Sequence, residues 1–464
     1  MGMDVKPAPF VPPAPRPRQK PPSTLQMLRI VNRNPLELWG EPSYNKPWIS
    51  ISTGIGGPLV IANDPGLIRH VLVDNAKNYK MAKVRQKILR PILRDGLLTA
   101  EGEVWRRSRK AMAPVFTPRS IQGFAPAMLR CTQTFVGRYG GAAGPVDISR
   151  DMTMLTFDIL AETLFSGEIA GEPGSFAHQV DRLFETMGRV DPLDIIGAPD
   201  WLPRITRIRG RKSLAFFRGI VADTMEMRRR RMESEPEAVP EDFLTLLLRA
   251  EGPDGLTRGE VEDNIITFIG AGHETTARAL GWAIYCLSQA PWERERIEEE
   301  IDRVLPVTPD PTDWLDAMPL TRAAFEEAMR LYPPAPSINR EAIEPDRYKD
   351  LEIRKGAQIL VMPWTVHRHR AHWERPDAFL PERFHPGNRD KIDRFQYLPF
   401  GAGPRICIGA QFAMMEAVIA LAVLMSRYRF EALPGTRPWP VQKLTVQPEG
   451  GLPMRVVPRN RAAS

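Results

Sequence analysis

The sequence predicts a mainly α-helical protein with small β-sheets, arranged as one domain around a long central helix. Residues 117–250 have the pattern of successive amphipathic helices joined by loops that contain proline and glycine. A capping box at residues 257–260 begins a helix that we expect to continue to Pro291. Such a helix, of about 33 residues, would span roughly 50 Å and cross the whole domain. The strand-like runs, at residues 48–52 and 59–62, are short and flank a glycine-rich turn.

The composition is that of a globular protein with a sizeable core. Of the 464 residues, 43% are hydrophobic and 26% are charged, proportions typical of soluble domains. The three cysteines, Cys131, Cys286 and Cys407, are far apart and form no Cys-x-x-Cys pair, so neither a disulfide framework nor a zinc site is expected. Unpaired cysteines suit a reducing cytoplasm, where we expect the protein. No apolar run of membrane-spanning length and no signal peptide is visible near the N-terminus, and we expect no membrane anchor.

The net charge, +7, is a modest basic excess. Basic residues concentrate at residues 77–94, 204–212 and 228–231, and such clusters raise nucleic-acid binding as one interpretation. No aromatic residues alternate with these cations, and no nucleic-acid motif accompanies them. We therefore expect solvated helix faces and no nucleic-acid partner.

The N-terminus is a proline-rich segment. Residues 1–24 contain eight prolines, which predicts a flexible, extended arm of the polyproline type without internal hydrogen bonds. Asp64 and Pro65 later provide an N-cap and a first-turn proline for a helix. We find no internal repeat and no convincing boundary after the arm, so residues 25–464 are predicted to form a single domain.

Residues 400–409 form a glycine-studded loop directly before an apolar helical run at residues 410–428. The loop places Cys407 next to the free N–H groups of that helix, where the positive end of the helix dipole would hold the thiol ionised. A soft, anionic sulfur at such a position is typical of a haem-thiolate ligand. The alternative is a buried cysteine in an ordinary glycine loop.

Four further residues of the loop suit a flat ligand bound at the sulfur. Gly403 and Gly409 allow tight turning and a close approach of backbone to ligand, because they lack a Cβ. Phe400 would shield the sulfur from water, and Arg405 offers a fork of donors to a carboxylate. We therefore predict that these residues, together with Cys407, bind haem.

The midpoint of the predicted central helix contains Ala271, Gly272, Glu274 and Thr275. The hydroxyl of Thr275 can bond the carbonyl four residues back, which bends or widens a helix. The small residues Ala271 and Gly272 on the same face would leave a groove for a diatomic ligand. The alternative interpretation is a kinked helix with solvated polar residues.

The pattern Phe-x-x-Gly-x-Arg-x-Cys-x-Gly followed by a helix resembles the haem-binding signature of the cytochrome P450 family. The family's central helix carries Ala/Gly-Gly-x-Asp/Glu-Thr-Thr/Ser, and Glu274 and Thr275 match its acid–alcohol pair. The resemblance extends over six ordered motifs from Trp105 to the C-terminus. It implies the cytochrome P450 fold, with the long helix crossing over haem b (iron protoporphyrin IX) and Cys407 as the axial ligand of the iron.

The resemblance also assigns residues around the cofactor. Trp105 and Arg109, four apart on one helix face, would donate an indole N–H and a guanidinium to the haem propionates. Without the resemblance, a core tryptophan beside a surface arginine is the usual interpretation. Arg340 falls where relatives place another propionate-binding arginine. The motifs further imply a buried ion triad that braces the haem loop, formed by Glu327, Arg330 and Arg383.

The implied reaction inserts one oxygen atom from O2 into a lipophilic organic substrate, while the other atom leaves as water. Thr275 and Glu274 would deliver the protons that this reaction needs. No Gly-x-Gly-x-x-Gly fingerprint is present and the length leaves no room for a flavin domain, so the electrons would come from an external ferredoxin-type iron–sulfur or flavin protein. A peroxide-using or isomerising haem-thiolate enzyme does not need the acid–alcohol pair, which argues against that alternative. A haem-based sensor would be favoured if the protein bound carbon monoxide but never turned over.

Two basic regions carry more specific expectations. Arg106, Arg107 and Lys110 lie on the predicted helix of Trp105 and are expected to help dock an acidic ferredoxin-type donor. Segment 77–94 contains no acidic residue. One of its cations, turned inward, would anchor the carboxylate of a lipophilic acid, whereas the alternative is a solvated surface.

Overall fold

The computed structural model describes residues 7–53, 57–141, 144–170 and 201–459. The helices of these ranges, numbered in chain order, are α1 (Thr24–Arg33), α2 (Pro65–Arg69), α3 (Lys83–Leu93), α4 (Gly102–Met112), α5 (Pro118–Val136), α6 (Ile148–Phe165), α7 (Ile205–Ser234), α8 (Phe243–Arg249), α9 (Arg258–Gln289), α10 (Pro291–Val304), α11 (Trp314–Ala317), α12 (Pro319–Leu331), α13 (Pro363–Val366) and α14 (Ala410–Arg427). The strands are β1 (Trp48–Thr53), β2 (Gly57–Ala62), β3 (Tyr79–Met81), β4 (Val146–Asp147), β5 (Ile338–Ala342), β6 (Asp346–Tyr348), β7 (Leu351–Ile353), β8 (Gln358–Val361), β9 (Tyr428–Ala432), β10 (Pro440–Gln442), β11 (Val446–Pro448) and β12 (Pro453–Pro458). The predicted class, mainly helical with small sheets, is confirmed.

The strands of the described residues form small sheets. The largest has the order β1-β2-β8-β5-β3, in which β2 and β8 are parallel and the other pairs are antiparallel. A three-stranded antiparallel sheet has the order β4-β12-β9, and β6–β7 and β10–β11 are two-stranded. The predicted pairing of β1 with β2 is confirmed, with Trp48 opposite Ala62. Residues 54–56 of its turn lie outside the described residues.

The predicted central helix is α9, which contains 32 residues. Its capping box is present, because the Thr257 hydroxyl accepts from the Glu260 N–H and the Glu260 carboxylate accepts from the Thr257 N–H. The helix ends at Gln289, two residues before the proline that begins α10. It is buried over most of its length and packs against α6, α12 and α14. The core is therefore built around α9, as predicted.

The helix after the glycine loop is a core helix. In α14, every residue between 415 and 426 is buried, and the helix packs against α5, α9 and α12. A helix that is hydrophobic on all sides belongs to a core or a membrane. Within the described residues α14 is the one helix long and apolar enough to cross a membrane, and 72% of it is buried inside the fold. Packing in the core accounts for its composition.

The described part of the proline-rich segment lies extended along the body of the fold. The Phe10 carbonyl accepts from the Phe379 N–H at 2.8 Å, and the Pro13 carbonyl accepts from the Tyr332 hydroxyl at 2.7 Å. The Phe10 ring meets Tyr285 edge-on. These contacts attach residues 7–22 to the core, which the proline content alone did not indicate.

The region predicted as successive helices contains α5, α6, α7 and α8, and residues 171–200 within it lie outside the described ranges. The expectation of solvated cations is wrong for Arg228, which is 1% exposed. Its guanidinium donates to the carboxylates of Asp242 and Glu168 and to the Phe165 carbonyl. Burial is tolerated here because the charge is compensated and its donors are satisfied.

Candidate functional site

The cysteine loop ends at the N-terminus of α14. A short 3₁₀ turn, Gly403–Arg405, precedes Cys407, and Gly409 occupies the cap position of α14. The Cys407 N–H donates to the Phe400 carbonyl at 2.9 Å and so closes the loop. The Phe400 ring is half-buried and packs against the core. The cysteine therefore lies just before the helix, as its spacing in the sequence indicates.

The Cys407 thiol presents accessible surface, yet protein atoms surround it so closely that burial raises its pKa. The Gly409 N–H and the positive charge of Arg109 act on the pKa in the opposite direction without outweighing burial. The prediction that the helix terminus alone holds this thiol ionised is therefore wrong, because burial disfavours the charged form. A metal cation bound to the sulfur would supply the missing charge, since coordination deprotonates a thiol.

The two glycines of the cysteine loop, Gly403 and Gly409, have different neighbours. Gly403 has a φ of +74°, and a Cβ there would lie 1.8 Å from the Leu72 carbonyl oxygen, so the protein's own backbone requires this glycine. At Gly409 a Cβ would meet only Phe116, at 3.9 Å, which is an ordinary contact. No described protein group demands a glycine at position 409. This agrees with the close approach of a ligand expected there.

Two arginines and a tryptophan converge on the cysteine loop. Arg109 donates to the Ile406 carbonyl at 3.0 Å, next to Cys407. The Arg405 guanidinium lies 4.9 Å from the centre of the Trp105 ring and donates to the Glu101 carboxylate at 2.6 Å. The fold thus brings together the three predicted residues Trp105, Arg109 and Arg405. Glu101 is a partner that the sequence analysis missed.

Arg340, on β5, adds to this positive cluster. Burial and the charges of Arg405 and Arg85 lower the pKa of Arg340 to about 10, and Glu101 opposes that shift. Its hydrogen bond within the described residues goes to the Asn339 carbonyl at 3.3 Å. The four guanidinium groups of Arg85, Arg109, Arg340 and Arg405 outnumber the Glu101 carboxylate. This excess of positive charge favours the binding of further carboxylates. The cluster therefore fits the two propionates of haem.

The middle of α9 is accessible although the rest of the helix is buried. Ala271 is exposed and Thr275 is half-buried, whereas the turns on either side belong to the core. The central helix therefore presents accessible surface at its midpoint, between turns that belong to the core. The Thr275 hydroxyl donates to the Ala271 carbonyl at 2.8 Å, the bond that the sequence predicts. A cofactor ligated by Cys407 and covered by α9 needs accessible surface at both places, and both are present.

Gly272 has a packing role that the sequence did not indicate. A Cβ there would lie 2.3 Å from Cδ1 of Leu160 on α6, so the Leu160 side chain packs in this position because residue 272 is glycine. The Thr156 hydroxyl on α6 also donates to the His273 carbonyl at 2.9 Å. The accessible side of the predicted groove is provided by Ala271, while Gly272 serves the contact between the two helices.

Glu274 lies in a polar network away from solvent. It is 5% exposed, its carboxylate accepts from the Thr445 hydroxyl at 2.7 Å, and it lies 3.9 Å from the Arg278 guanidinium. Arg278 in turn donates to the Ser149 hydroxyl at 3.0 Å. The network fixes the Glu274 side chain and connects it to the first turn of α6. Thr445 could not be found from spacing, because it is 171 residues away in the chain.

The predicted ion triad is present and buried. Arg330 makes two hydrogen bonds to Glu327, at 2.7 and 2.8 Å, and Arg383 lies 3.4 Å from the same carboxylate. The remaining donors of Arg330 satisfy three backbone carbonyls, those of His367, Pro376 and Ala378. The triad therefore ties α12 to the long irregular segment that leads to the cysteine loop.

His367 joins the triad to the cysteine loop, and the sequence analysis missed it. Its Nε2 accepts from the Leu398 N–H at 2.8 Å, so its Nδ1 carries the proton and donates to the Arg330 carbonyl at 3.2 Å. Burial and the charge of Arg330 lower the pKa of His367 to about 3. The ring is therefore neutral and acts as a fixed brace. No spacing rule marks a histidine for this role.

Comparison with known proteins agrees with this geometry. The profile described as Cytochrome P450 matches residues 52–454. Cyclooctatin synthase of Streptomyces melanosporofaciens is 30% identical over 412 residues, which cover 87% of this chain and 87% of the relative. The chloroplastic carotene epsilon-monooxygenase of Arabidopsis thaliana is 26% identical over 428 residues, covering 86% of this chain and 78% of the relative.

Solved structures resemble the fold over nearly its full length. The crystal structure of a cytochrome P450 (CYP102L1) superimposes with a TM-score of 0.81 at 26% sequence identity. The match covers 97% of this chain and 100% of the solved one. The helices and small sheets described above therefore have the arrangement seen in that protein.

Proposed function

Because the chain belongs to the cytochrome P450 family, and is a haem-thiolate monooxygenase with haem b as its cofactor, we propose that Cys407 supplies the axial thiolate. The observation that carries the proposal is the position of Cys407, accessible at the N-terminus of α14 with the Arg109 charge beside it. When bound, the haem supplies the activation of O2 for insertion of one oxygen atom into the substrate. The protein must hold the cofactor, exclude water and deliver protons.

We propose that Trp105 and the positive cluster of Arg109, Arg340 and Arg405 hold the cofactor. Their side chains lie close to the loop and to one another, and guanidinium groups bind carboxylates through paired hydrogen bonds. Phe400, Gly403 and Gly409 shape the loop around the sulfur. Ala271 is the small residue on the accessible side of the α9 midpoint, and Gly272 beside it lets Leu160 of α6 pack against the helix.

For proton delivery, we propose the Thr275 hydroxyl and the Glu274 carboxyl. Thr275 donates to the Ala271 carbonyl, which leaves the lone pairs of its hydroxyl available as acceptors. Glu274 follows it in the chain and connects to a polar network that reaches α6. An enzyme that uses peroxide or isomerises its substrate has no need of this pair, so the pair favours dioxygen as the oxidant.

Replacing Thr275 by alanine is expected to retain haem and substrate binding but to divert electrons into hydrogen peroxide. The ratio of product formed to nicotinamide consumed should fall at least about tenfold, because positioned proton transfer is lost. Thr275→Ser, which keeps a hydroxyl, should retain a larger share of that ratio than Thr275→Ala. An unchanged ratio in Thr275→Ala would contradict the proposed role of Thr275.

For the substrate, we propose a lipophilic organic molecule. One similar protein is named for carotene, which is a hydrocarbon. The cations of segment 77–94 have protein neighbours: Lys80 and Lys83 pair with Glu341, and the inward-turned Arg85 lies beside Arg340. Arg85 is thus the inward-turned cation that the sequence analysis expects, and we propose it as the group that would anchor the carboxylate of a lipophilic acid.

For the electron donor, we propose an external protein, a ferredoxin-type iron–sulfur or flavin protein, that docks at the exposed side of α4. Of the three cations expected to dock it, Arg107 is paired with Glu260 at 2.7 Å and Arg106 is paired with Glu103. Lys110 is exposed and has no ion pair with any residue in the described ranges. Lys110 is therefore the best probe of the docking surface.

The change Lys110→Glu is expected to slow reduction by an acidic donor protein at least about threefold at low salt, because electrostatic steering is reversed. The difference should shrink as the salt concentration rises, and reduction by dithionite should be unaffected. Arg354→Glu, at an exposed residue directly after β7 of the separate sheet β6–β7, serves as the matched charge reversal. Equal slowing in both variants, or slowing with dithionite as well, would contradict the proposed docking site.

We further propose that the protein works in the cytoplasm. All three cysteines, Cys131, Cys286 and Cys407, are free, as expected in a reducing compartment.

A further inference from the structure

An isolated carboxyl group lies inside the helix that follows the cysteine loop. Glu416 is nine residues after Cys407. Glu416 and Arg427 are the two charged residues of α14. Its exposed fraction is 1%. Neither of its carboxyl oxygens has a hydrogen-bond partner in the described part of the chain. None of the roles assigned above uses this residue.

The surroundings of Glu416 disfavour a negative charge. No ion pair joins it to a lysine, arginine or histidine of the described residues, and an unpaired carboxylate in an apolar interior is far more costly than a neutral acid. Burial accordingly raises the pKa of Glu416 well above its usual range. A neutral carboxyl group has one O–H donor as well as acceptor oxygens, so it can form hydrogen bonds that a carboxylate cannot.

The hydroxyl of Thr276 on α9 opposes the rise that burial causes in the pKa of Glu416. Thr276 is 3% exposed and directly follows Thr275. No hydrogen bond of standard geometry to Thr276 is present, and none links its hydroxyl to another described residue. The unpartnered Glu416 carboxyl and the buried Thr276 side chain thus lie on two helices, α14 and α9, that pack against each other.

We propose that Glu416, as an uncharged carboxylic acid, is a positioning residue that joins α14, the helix after the cysteine loop, to α9 through the Thr276 hydroxyl. A protonated carboxyl and a hydroxyl can each donate to the other, so together they satisfy two buried groups that would otherwise be costly to leave unpaired.

The contact has a consequence for Thr275. Consecutive residues of a helix point about 100° apart, so fixing Thr276 toward α14 fixes the direction of Thr275 toward the accessible midpoint of α9. In this way Glu416 would fix the position of Thr275 on α9 relative to α14, the helix that follows the cysteine loop. This inference rests on the proposed function, because it assumes the role given to Thr275.

The charge state is tested by infrared spectroscopy of the holoenzyme. The difference spectrum is obtained by subtracting the spectrum of Glu416→Gln from that of the wild type. It should show the C=O stretching band of a protonated carboxylic acid, and this band should shift to lower frequency in D2O. A difference spectrum that contains only carboxylate bands would overturn the proposal. This readout does not depend on activity.

The positioning role is tested by pairs of variants at both ends of the contact. Glu416→Met and Thr276→Val remove the polar groups, and each should lower the product formed per nicotinamide consumed by about threefold or more. Glu416→Gln and Thr276→Ser keep hydrogen-bonding groups and should stay within about twofold of wild type. The double variant Glu416→Met/Thr276→Val should be no worse than the poorer single variant, because both changes break the same contact.

Three results would overturn the positioning role: additive losses in the double variant, unchanged ratios in both apolar variants, or a loss in Glu416→Gln as large as in Glu416→Met. If Glu416→Met takes up no haem while Glu416→Gln does, the rescue by glutamine supports the proposal. The carbon monoxide difference spectrum separates this test from that of the proposed function. Retention of the red-shifted Soret band in the Glu416 and Thr276 variants shows that the haem-thiolate site itself is intact.

Discussion

Replacing Cys407 by serine is expected to abolish the strongly red-shifted Soret band that a thiolate-ligated haem shows when it is reduced and bound to carbon monoxide. Turnover should fall by more than about 100-fold, since the loss of residues that merely support a metal ligand already costs about 10–100-fold. A serine hydroxyl is harder and far less acidic than a thiol, so it cannot supply the same electron donation. Difference spectroscopy of purified protein measures the band, and product analysis measures turnover.

Cys131 provides the matched control for this change. It is a half-buried thiol on α5 that donates to the Asp158 carbonyl at 3.9 Å. Because it lies outside the cysteine loop and its cluster of arginines, it is not expected to ligate iron. Cys131→Ser should keep the red-shifted band at an intensity proportional to its haem content. An unchanged band in Cys407→Ser would refute the axial ligand and the proposed function with it.

Replacing Arg330 by methionine is expected to lower the free energy of unfolding of the holoenzyme by about 3–5 kcal/mol, the typical cost of breaking a buried ion pair from one side. Glu327 would lose its two short hydrogen bonds, and the carbonyls of residues 367, 376 and 378 would lose their donor. Because those carbonyls belong to the segment that supports the cysteine loop, haem should be released more readily. Denaturant unfolding followed by far-UV circular dichroism and by Soret absorbance measures both effects.

Arg230 provides an exposed ion pair for comparison. It lies 3.3 Å from Glu226 at four-residue spacing, with 77% of its side chain exposed. Arg230→Met should change the free energy of unfolding by no more than about 1 kcal/mol, because exposed pairs contribute little. Similar losses in Arg230→Met and Arg330→Met would show that the triad does not brace the loop.

The features that the sequence predicted correctly are local ones. The capping box of α9, the cysteine just before α14, the bond from Thr275 to the Ala271 carbonyl and the pair Glu327–Arg330 all join residues close together in the chain. Helical geometry fixes which residues meet at such spacings. A pattern of residue types is therefore enough to predict them.

The features that the sequence did not predict depend on contacts between distant segments. Glu274 meets Thr445, His367 meets Leu398, and Arg228 is surrounded by carboxylates that compensate its charge. The structure also gives two glycines a role other than the predicted one. Gly272 leaves space for the Leu160 side chain, and Gly403 leaves space for the Leu72 carbonyl. Local spacing contains no information about which remote group will fill such a position.

The sequence by itself determined the family, the helix that crosses the core and the cysteine expected to bind iron, because each is encoded by residue types at fixed short separations. Only the tertiary structure decided the charge states and supports of these groups. Burial raises the pKa of Cys407 against the helix terminus that favours its ionisation, and it raises the pKa of Glu416 in a helix that looks merely apolar. The physical reason is that desolvation depends on all the atoms packed around a group, and most of those atoms come from other parts of the chain.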